Sequence, residues 1–169
     1  MGQPASKQSN ALRSAVLAQP EKASPARLDR LLLRPNIAAT MPKKEIRHPD
    51  KEKSTGAYSA AVEMDGWVYV SGQGPIDPKT AQPVRGTIEQ ETELTLRHVE
   101  KILQGAGCSR QDIVKCTVHL ADIEDFDRFN ATYRAFFAQA PVLPARTTVQ
   151  SVLWNSIKVE IDCIARKAG

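Results

Sequence analysis

Two short apolar stretches, residues 58–63 and 67–72, flank Asp65-Gly66, a dipeptide suited to a tight turn between antiparallel strands. The pattern then changes period. Over residues 88–104, Ile88, Thr92, Leu96, Val99, Ile102 and Leu103 share one helical face, and Gly105 and Gly107 end that helix. Strict alternation returns at 113–120, where Val114, Cys116, Val118 and Leu120 intersperse with Lys115, Thr117 and His119, as in a half-buried strand. A second helix follows, capped by Asp122 or Asp125, with Phe126, Phe129, Tyr133, Phe136 and Phe137 on its apolar side. Residues 146–153 and 157–165 read as two more strands, the last alternating Val159, Ile161, Cys163 and Ala165. The predicted order is β-β-α-β-α-β-β. Both helices are amphipathic, so they cover one face of a mixed sheet in a two-layer α+β sandwich. The other face is then solvated or lies in an oligomer interface, and Val68, Val70 and Val152 are assigned to it.

Residues 1–40 break the pattern. They are rich in Ala, Ser, Pro and Arg, hold no aromatic residue, and lack the apolar surface to fold independently. The expected division is a disordered or processed basic leader, 1–42, and one folded domain, 43–169. One short amphipathic helix is expected within the leader, with Ser24 as cap and Pro25 in the first turn. Three readings of the leader remain open: an organelle transit peptide, a myristoylated arm at Met1-Gly2 with Ser6, or an extension upstream of a start at Met41. The first implies an organelle such as the mitochondrion; otherwise the expected location is cytoplasmic. The formal net charge of +4 is uneven, since residues 1–44 carry eight basic and two acidic groups, net +6, leaving −2 for residues 45–169. That balance argues against a nucleic-acid partner for the domain. No run approaches the roughly 18 apolar residues that a membrane span requires. Cys108, Cys116 and Cys163 form no close pair and read as free thiols of a reducing compartment.

The candidate chemistry is sparse. Ser71-Gly72-Gln73-Gly74-Pro75 leaves a strand but lacks the spacing of a dinucleotide or P-loop fingerprint; it is either a plain strand exit or a backbone cradle for an anion. Arg146 opens a strand within Pro144-Ala145-Arg146-Thr147-Thr148, as a solvated charge or as a bidentate holder of a carboxylate. Asn130 sits on the apolar side of the second helix, where its amide needs a partner, most simply the backbone of a neighbouring loop. Glu160 faces away from Val159 and Ile161, as a solvated strand position or as an acid/base carboxylate. Tyr58 begins the first strand as a packing aromatic or a site wall. His48, His98 and His119 show no metal-ligand spacing, and Trp67 and Trp154 are too few for an RNA platform. No cofactor or metal is expected.

Read together, these segments resemble one family. Gly56-Ala57-Tyr58-Ser59-Ala60-Ala61-Val62, Val70-Ser71-Gly72-Gln73, Gln90-Glu91-Thr92, Ile113-Val114-Lys115-Cys116-Thr117-Val118, Asp125-Phe126, Asn130-Ala131-Thr132-Tyr133, Phe136-Phe137, Pro144-Ala145-Arg146 and Val159-Glu160-Ile161 occur in the order and spacing of the RidA (YjgF, liver perchloric-acid-soluble protein) family. The likeness spans roughly residues 43–166. It implies a chorismate-mutase-like α+β fold and a homotrimer with sites in the clefts between subunits. It also implies hydrolytic deamination of reactive 2-imino or enamine acids, such as the imine of 2-aminoacrylate, to 2-keto acids and ammonia, a metabolite damage-control activity. By the same resemblance Arg146 grips the substrate carboxylate, Glu160 orients the hydrolytic water, Ser71 and Gly72 border the pocket, and Tyr58 and Asn130 complete it. The chain departs from the family pattern at Ala57, Thr148 and the Leu153-Trp154-Asn155-Ser156 segment, and Trp154 bears on substrate range. The alternative within the family is a non-enzymatic ligand-binding, RNA-binding or ribonuclease member. A mutase acting on a dicarboxylate would need more than one buried arginine.

Overall fold

The computed structural model of the chain describes residues 42–51 and 56–168. The expected leader, with its short helix, lies outside them apart from Pro42. Among the described residues six strands and two α-helices follow in order: β1 (Lys44–Ile46), β2 (Ala61–Met64), β3 (Trp67–Gln73), α1 (Ile88–Gly105), β4 (Ile113–Leu120), α2 (Phe126–Phe136), β5 (Ala145–Gln150) and β6 (Val159–Arg166). They form one sheet in the order β1-β2-β3-β6-β4-β5. Only β4 and β5 run parallel, joined across α2, so the sheet is mixed as expected.

Four details differ from the sequence reading. Val114 is exposed rather than on the apolar side with Cys116, Val118 and Leu120, and Ile113 is buried instead, because the register against β6 shifts between Ile113 and Lys115. A sixth strand, β1, pairs Ile46 with Ala61; at three residues, Lys-Glu-Ile, it is too short to show alternation. Tyr58 lies in a bend ahead of β2 rather than opening the strand. Val68 and Val70 are buried against the helices rather than on the opposite face, while Val152 lies beyond β5, fully exposed. The face of β3 is set by its pairing: Val70 lies opposite Cys163 and Val68 opposite Ala165, both core positions.

Local chemistry explains the elements. Met64 and Trp67 close the β2–β3 hairpin around Asp65 (φ 52°) and Gly66 (φ 75°), the left-handed pair that a tight hairpin turn requires. Thr87 and Gln90 form a reciprocal capping box at the start of α1. At its far end the Cys108 N–H returns to the Leu103 carbonyl. Asp122 caps the short turn Ile123–Asp125 ahead of α2, while Asp125, at the N-cap of α2, makes no side-chain capping bond. Phe129 and Phe137 of the second helical segment pack with Leu96, Ile102 and Leu103 of the first over Val118, Ile161 and Cys163. Each such buried side chain contributes about 2 kcal/mol through removal from water.

One buried charge bears directly on the site. Glu91, 1% exposed, accepts from the backbone N–H of Gly86 (3.1 Å) and of Lys158 (2.7 Å), and pairs with the Lys158 ammonium (3.4 Å). It pins the entry of β6 to the first turn of α1, two residues before Glu160.

Candidate functional site

Sheet register decides which side chains can meet. Cys116 opposite Cys163, Val118 opposite Ile161 and Leu120 opposite Val159 all face the helices. The intervening pairs, Thr117 with Asp162 and His119 with Glu160, therefore face the other way. On β5, Arg146 lies opposite Cys116 and Thr148 opposite Val118, on the helix side. Within one chain, Arg146 and Glu160 lie on opposite faces of the sheet.

Glu160 stands in a cleft of about 960 Å³. Tyr58, Gly72, Gln73, Trp154 and Ile157 share its lining. The Glu160 carboxylate lies so close over Gly72 that a Cβ there would overlap its Oε1, which is why this strand exit carries a glycine. A register shift between Val70 and Gln73 bends the strand at this point. The buried Gln73 amide holds the bend by donating to the carbonyls of Ser71 (2.9 Å) and Gly72 (3.1 Å). Ser71 itself is committed to the scaffold: its hydroxyl donates to the Ser59 carbonyl at 2.8 Å. The loop after the bend, braced by Asp77 accepting from the Lys79 N–H (2.7 Å), forms a further wall through Ile76 and Pro78.

The second group of residues surrounds Arg146. Its guanidinium sits 4.5 Å from the Tyr133 ring centroid, 5.3 Å from Phe129 and 5.5 Å from Phe126, and donates to Asn130 Oδ1 at 2.9 Å. The apolar row of α2 is thus both core and a seat for a cation. Asn130 finds its partner in Arg146 rather than in loop backbone. Two residues along the same face, the Thr148 hydroxyl is buried with no hydrogen-bond partner. The residues named from sequence thus fall into two sets, Tyr58, Gly72 and Glu160 on one side and Asn130 and Arg146 on the other.

Other chemistry was not visible in sequence. His48 and His98, fifty positions apart, are both buried and share a 2.9 Å hydrogen bond between Nε2 and Nδ1. Burial, reinforced by the neighbouring His98, lowers the His48 pKa to about 4. Burial lowers that of His98 too. Gln73 and Glu91, which place the cleft residues, were seen only as parts of motifs. Burial pushes the Cys116 thiol up to about 11 and also raises Cys163 and Cys108, so these cysteines are packing groups rather than nucleophiles. Among the described residues no group of three or more His, Cys, Asp or Glu side chains could hold a metal ion. Among the same residues no helix is long and apolar enough to cross a membrane.

Comparison with known proteins places this architecture. The family model described as endoribonuclease L-PSP matches residues 49–167. The chain belongs to this family, the RidA/YjgF proteins. A RutC family protein of Saccharolobus solfataricus is 41% identical over 127 residues, 74% of this chain and 99% of that protein. The mouse protein named 2-iminobutanoate/2-iminopropanoate deaminase is 40% identical over 111 residues, 65% of this chain and 81% of its own length. Among solved structures, Escherichia coli TdcF with bound serine superposes with a TM-score of 0.69 at 34% identity, covering 74% of this chain and 99% of TdcF. The RidA family fold is thus the α+β sheet-and-helix arrangement described above.

Proposed function

We propose that this RidA family member hydrolyses 2-imino acids to 2-keto acids and ammonia in sites shared between adjacent copies of a homotrimer. The observation that carries the reading is the division of the site residues between the two faces of one sheet. A 2-imino acid bears its carboxylate on the very carbon that water attacks, so the groups holding each lie within about 6–7 Å of one another. Such a substrate does not span a sheet. Arg146 of one copy must meet Glu160 of the next.

The chemistry follows from those groups. Arg146, already held by Asn130 and the aromatic row, takes the substrate carboxylate with its remaining donors. Glu160 orients a water over the imine carbon and accepts its proton as the C–O bond forms, giving a carbinolamine. The same carboxyl returns the proton to nitrogen. Ammonia leaves as the C–N bond breaks, and the hydroxyl proton of the carbinolamine passes to the carboxylate, now free again, as the keto group forms. Orientation of two small reactants supplies most of the acceleration, since an imine is already electrophilic. No cofactor enters the reading. The names of the mammalian relatives and the serine bound to TdcF, an amino acid with the same α-carboxylate, support the substrate class. The rival in the family description, RNA cleavage, has less support because residues 45–169 sum to −2.

The test generates 2-aminoacrylate from serine with a dehydratase and traps the imine with semicarbazide. The protein is expected to lower the semicarbazone yield and Arg146→Ala to abolish the effect. An unchanged yield with the wild-type protein, or full activity in Arg146→Ala, overturns the proposal.

A further inference from the structure

The turn between β5 and β6 is built in a way that packing alone does not require. Trp154–Ser156 form a single short helical turn in which Asn155 and Ser156 both adopt φ 53°. Two successive side-chain-bearing residues in the left-handed region are disfavoured, and such strain persists only where surrounding structure holds it. The restraint comes from far away in sequence. Arg85 donates to the Asn155 carbonyl at 2.9 Å and to the Ser156 carbonyl at 3.2 Å, so one guanidinium clasps both. Ile157, buried directly beyond, anchors the other end. What the clasped turn presents is Trp154, 63% exposed, on the wall of the Glu160 cleft.

The cleft also continues past Glu160 along the clasped turn. Its volume of about 960 Å³ is that of one copy, before the neighbouring copy proposed above covers part of it. Beyond Glu160 and Gly72 its lining is mixed: Ile76, Pro78, Ile157, Tyr58 and Trp154 supply the apolar and aromatic surface, and Asp50, Lys51, Lys79 and Gln82 the polar one.

We infer that Trp154, held by the Arg85 clasp, is the specificity wall of the site and selects 2-imino acids bearing a planar, aromatic side chain over small aliphatic ones. This rests on the deaminase reading. Trp154 offers its indole face to the substrate side chain, while Arg85 is a positioning residue that touches no substrate. Lys51 and Lys79 also line the cleft, so an acidic side chain is the competing preference.

Two readouts separate this inference from the deamination itself. The first is turnover of imines made in situ by an amino acid oxidase from phenylalanine and from 2-aminobutyrate. The second is equilibrium binding of the stable keto acids phenylpyruvate, 2-oxobutanoate and 2-oxoglutarate. The wild-type protein is expected to favour the aromatic member about tenfold or more in kcat/KM and in Kd. Trp154→Ala is expected to bring that ratio to about one in both readouts. Arg85→Ala should shrink the ratio through KM with kcat on the aliphatic imine retained. Because Trp154 is exposed, these variants should fold; matching thermal unfolding verifies it. Tightest binding of 2-oxoglutarate, equal handling of aromatic and aliphatic compounds, or an equal fall on both in Trp154→Ala overturns the inference. Aromatic-selective binding without turnover of either imine supports the wall and refutes deamination.

Discussion

A mixture of two inactive variants should be active. Arg146→Ala removes charge-assisted hydrogen bonds worth about 1.5–3 kcal/mol each, so two lost bonds cost roughly two to four orders of magnitude in kcat/KM. Glu160→Ala removes the carboxylate that handles the proton, a further factor of about 10²–10⁴ for that site. Either homogeneous trimer is therefore silent. The two residues occupy opposite faces of the sheet, and in the trimer proposed above each site draws Arg146 from one chain and Glu160 from its neighbour. In an equimolar random mixture, a site is intact when the Glu160→Ala chain supplies the arginine and the Arg146→Ala chain supplies the glutamate. Each choice has an even chance, so about one quarter of all sites are complete. Co-expression with two different affinity tags, sequential purification of mixed trimers and the semicarbazone assay give the measurement. Purification through both tags removes the two homotrimers, and each mixed trimer then holds one intact site in three, so recovery near one third of wild-type activity is the expected result. Mixed trimers of verified composition that stay as inactive as their parents would refute the shared site.

Gly72→Ala adds a methyl group that overlaps Glu160 Oε1 and displaces the carboxylate from the position in which the proposed reaction uses it. The expected result is a fall in kcat of at least about tenfold, with thermal unfolding shifted by only a few degrees, since Gly72 is not among the residues with positive φ. The His48–His98 pair makes stability pH-dependent in a definite direction. The unfolded chain takes up a proton near 6.5 while folded His48 resists it until about 4, so stability is constant above neutrality and is lost as pH falls through that window. Between pH 7 and pH 5 the loss assignable to His48 is about 2 kcal/mol, beside whatever Asp50, Lys51, Lys101 and His98 contribute. Urea unfolding of wild type and His48→Gln at both values measures it; an equal drop in the two proteins would refute the assignment.

The helices and the central hairpin were legible in sequence because each has a local signature. A six-position apolar face marks α1, and Asp65-Gly66 marks the hairpin turn. What sequence could not supply was parity across strands. Nothing local to Val68 or Arg146 states which face its strand presents; that is set by register against β6 and β4, through hydrogen bonds between residues far apart in the chain. The same limit applied to the site. Arg146, Asn130, Glu160 and Tyr58 are named through family resemblance, but their separation onto two faces of the sheet emerges only from the pairing. The His48–His98 contact and the Arg85 clasp join positions 50 and about 70 residues apart, where no spacing rule applies. β1 escaped notice because three residues carry no period.

The aromatic seat of Arg146 has a kinetic meaning. A free arginine side chain carries about 2 kcal/mol of rotamer entropy at room temperature. Three rings and the Asn130 amide restrict that freedom as the chain folds, once in the life of each molecule. An arginine left waving in solvent would surrender it again at every encounter. On the deaminase proposal, whose substrate water itself destroys, a cation settled beforehand turns a larger share of collisions into captures.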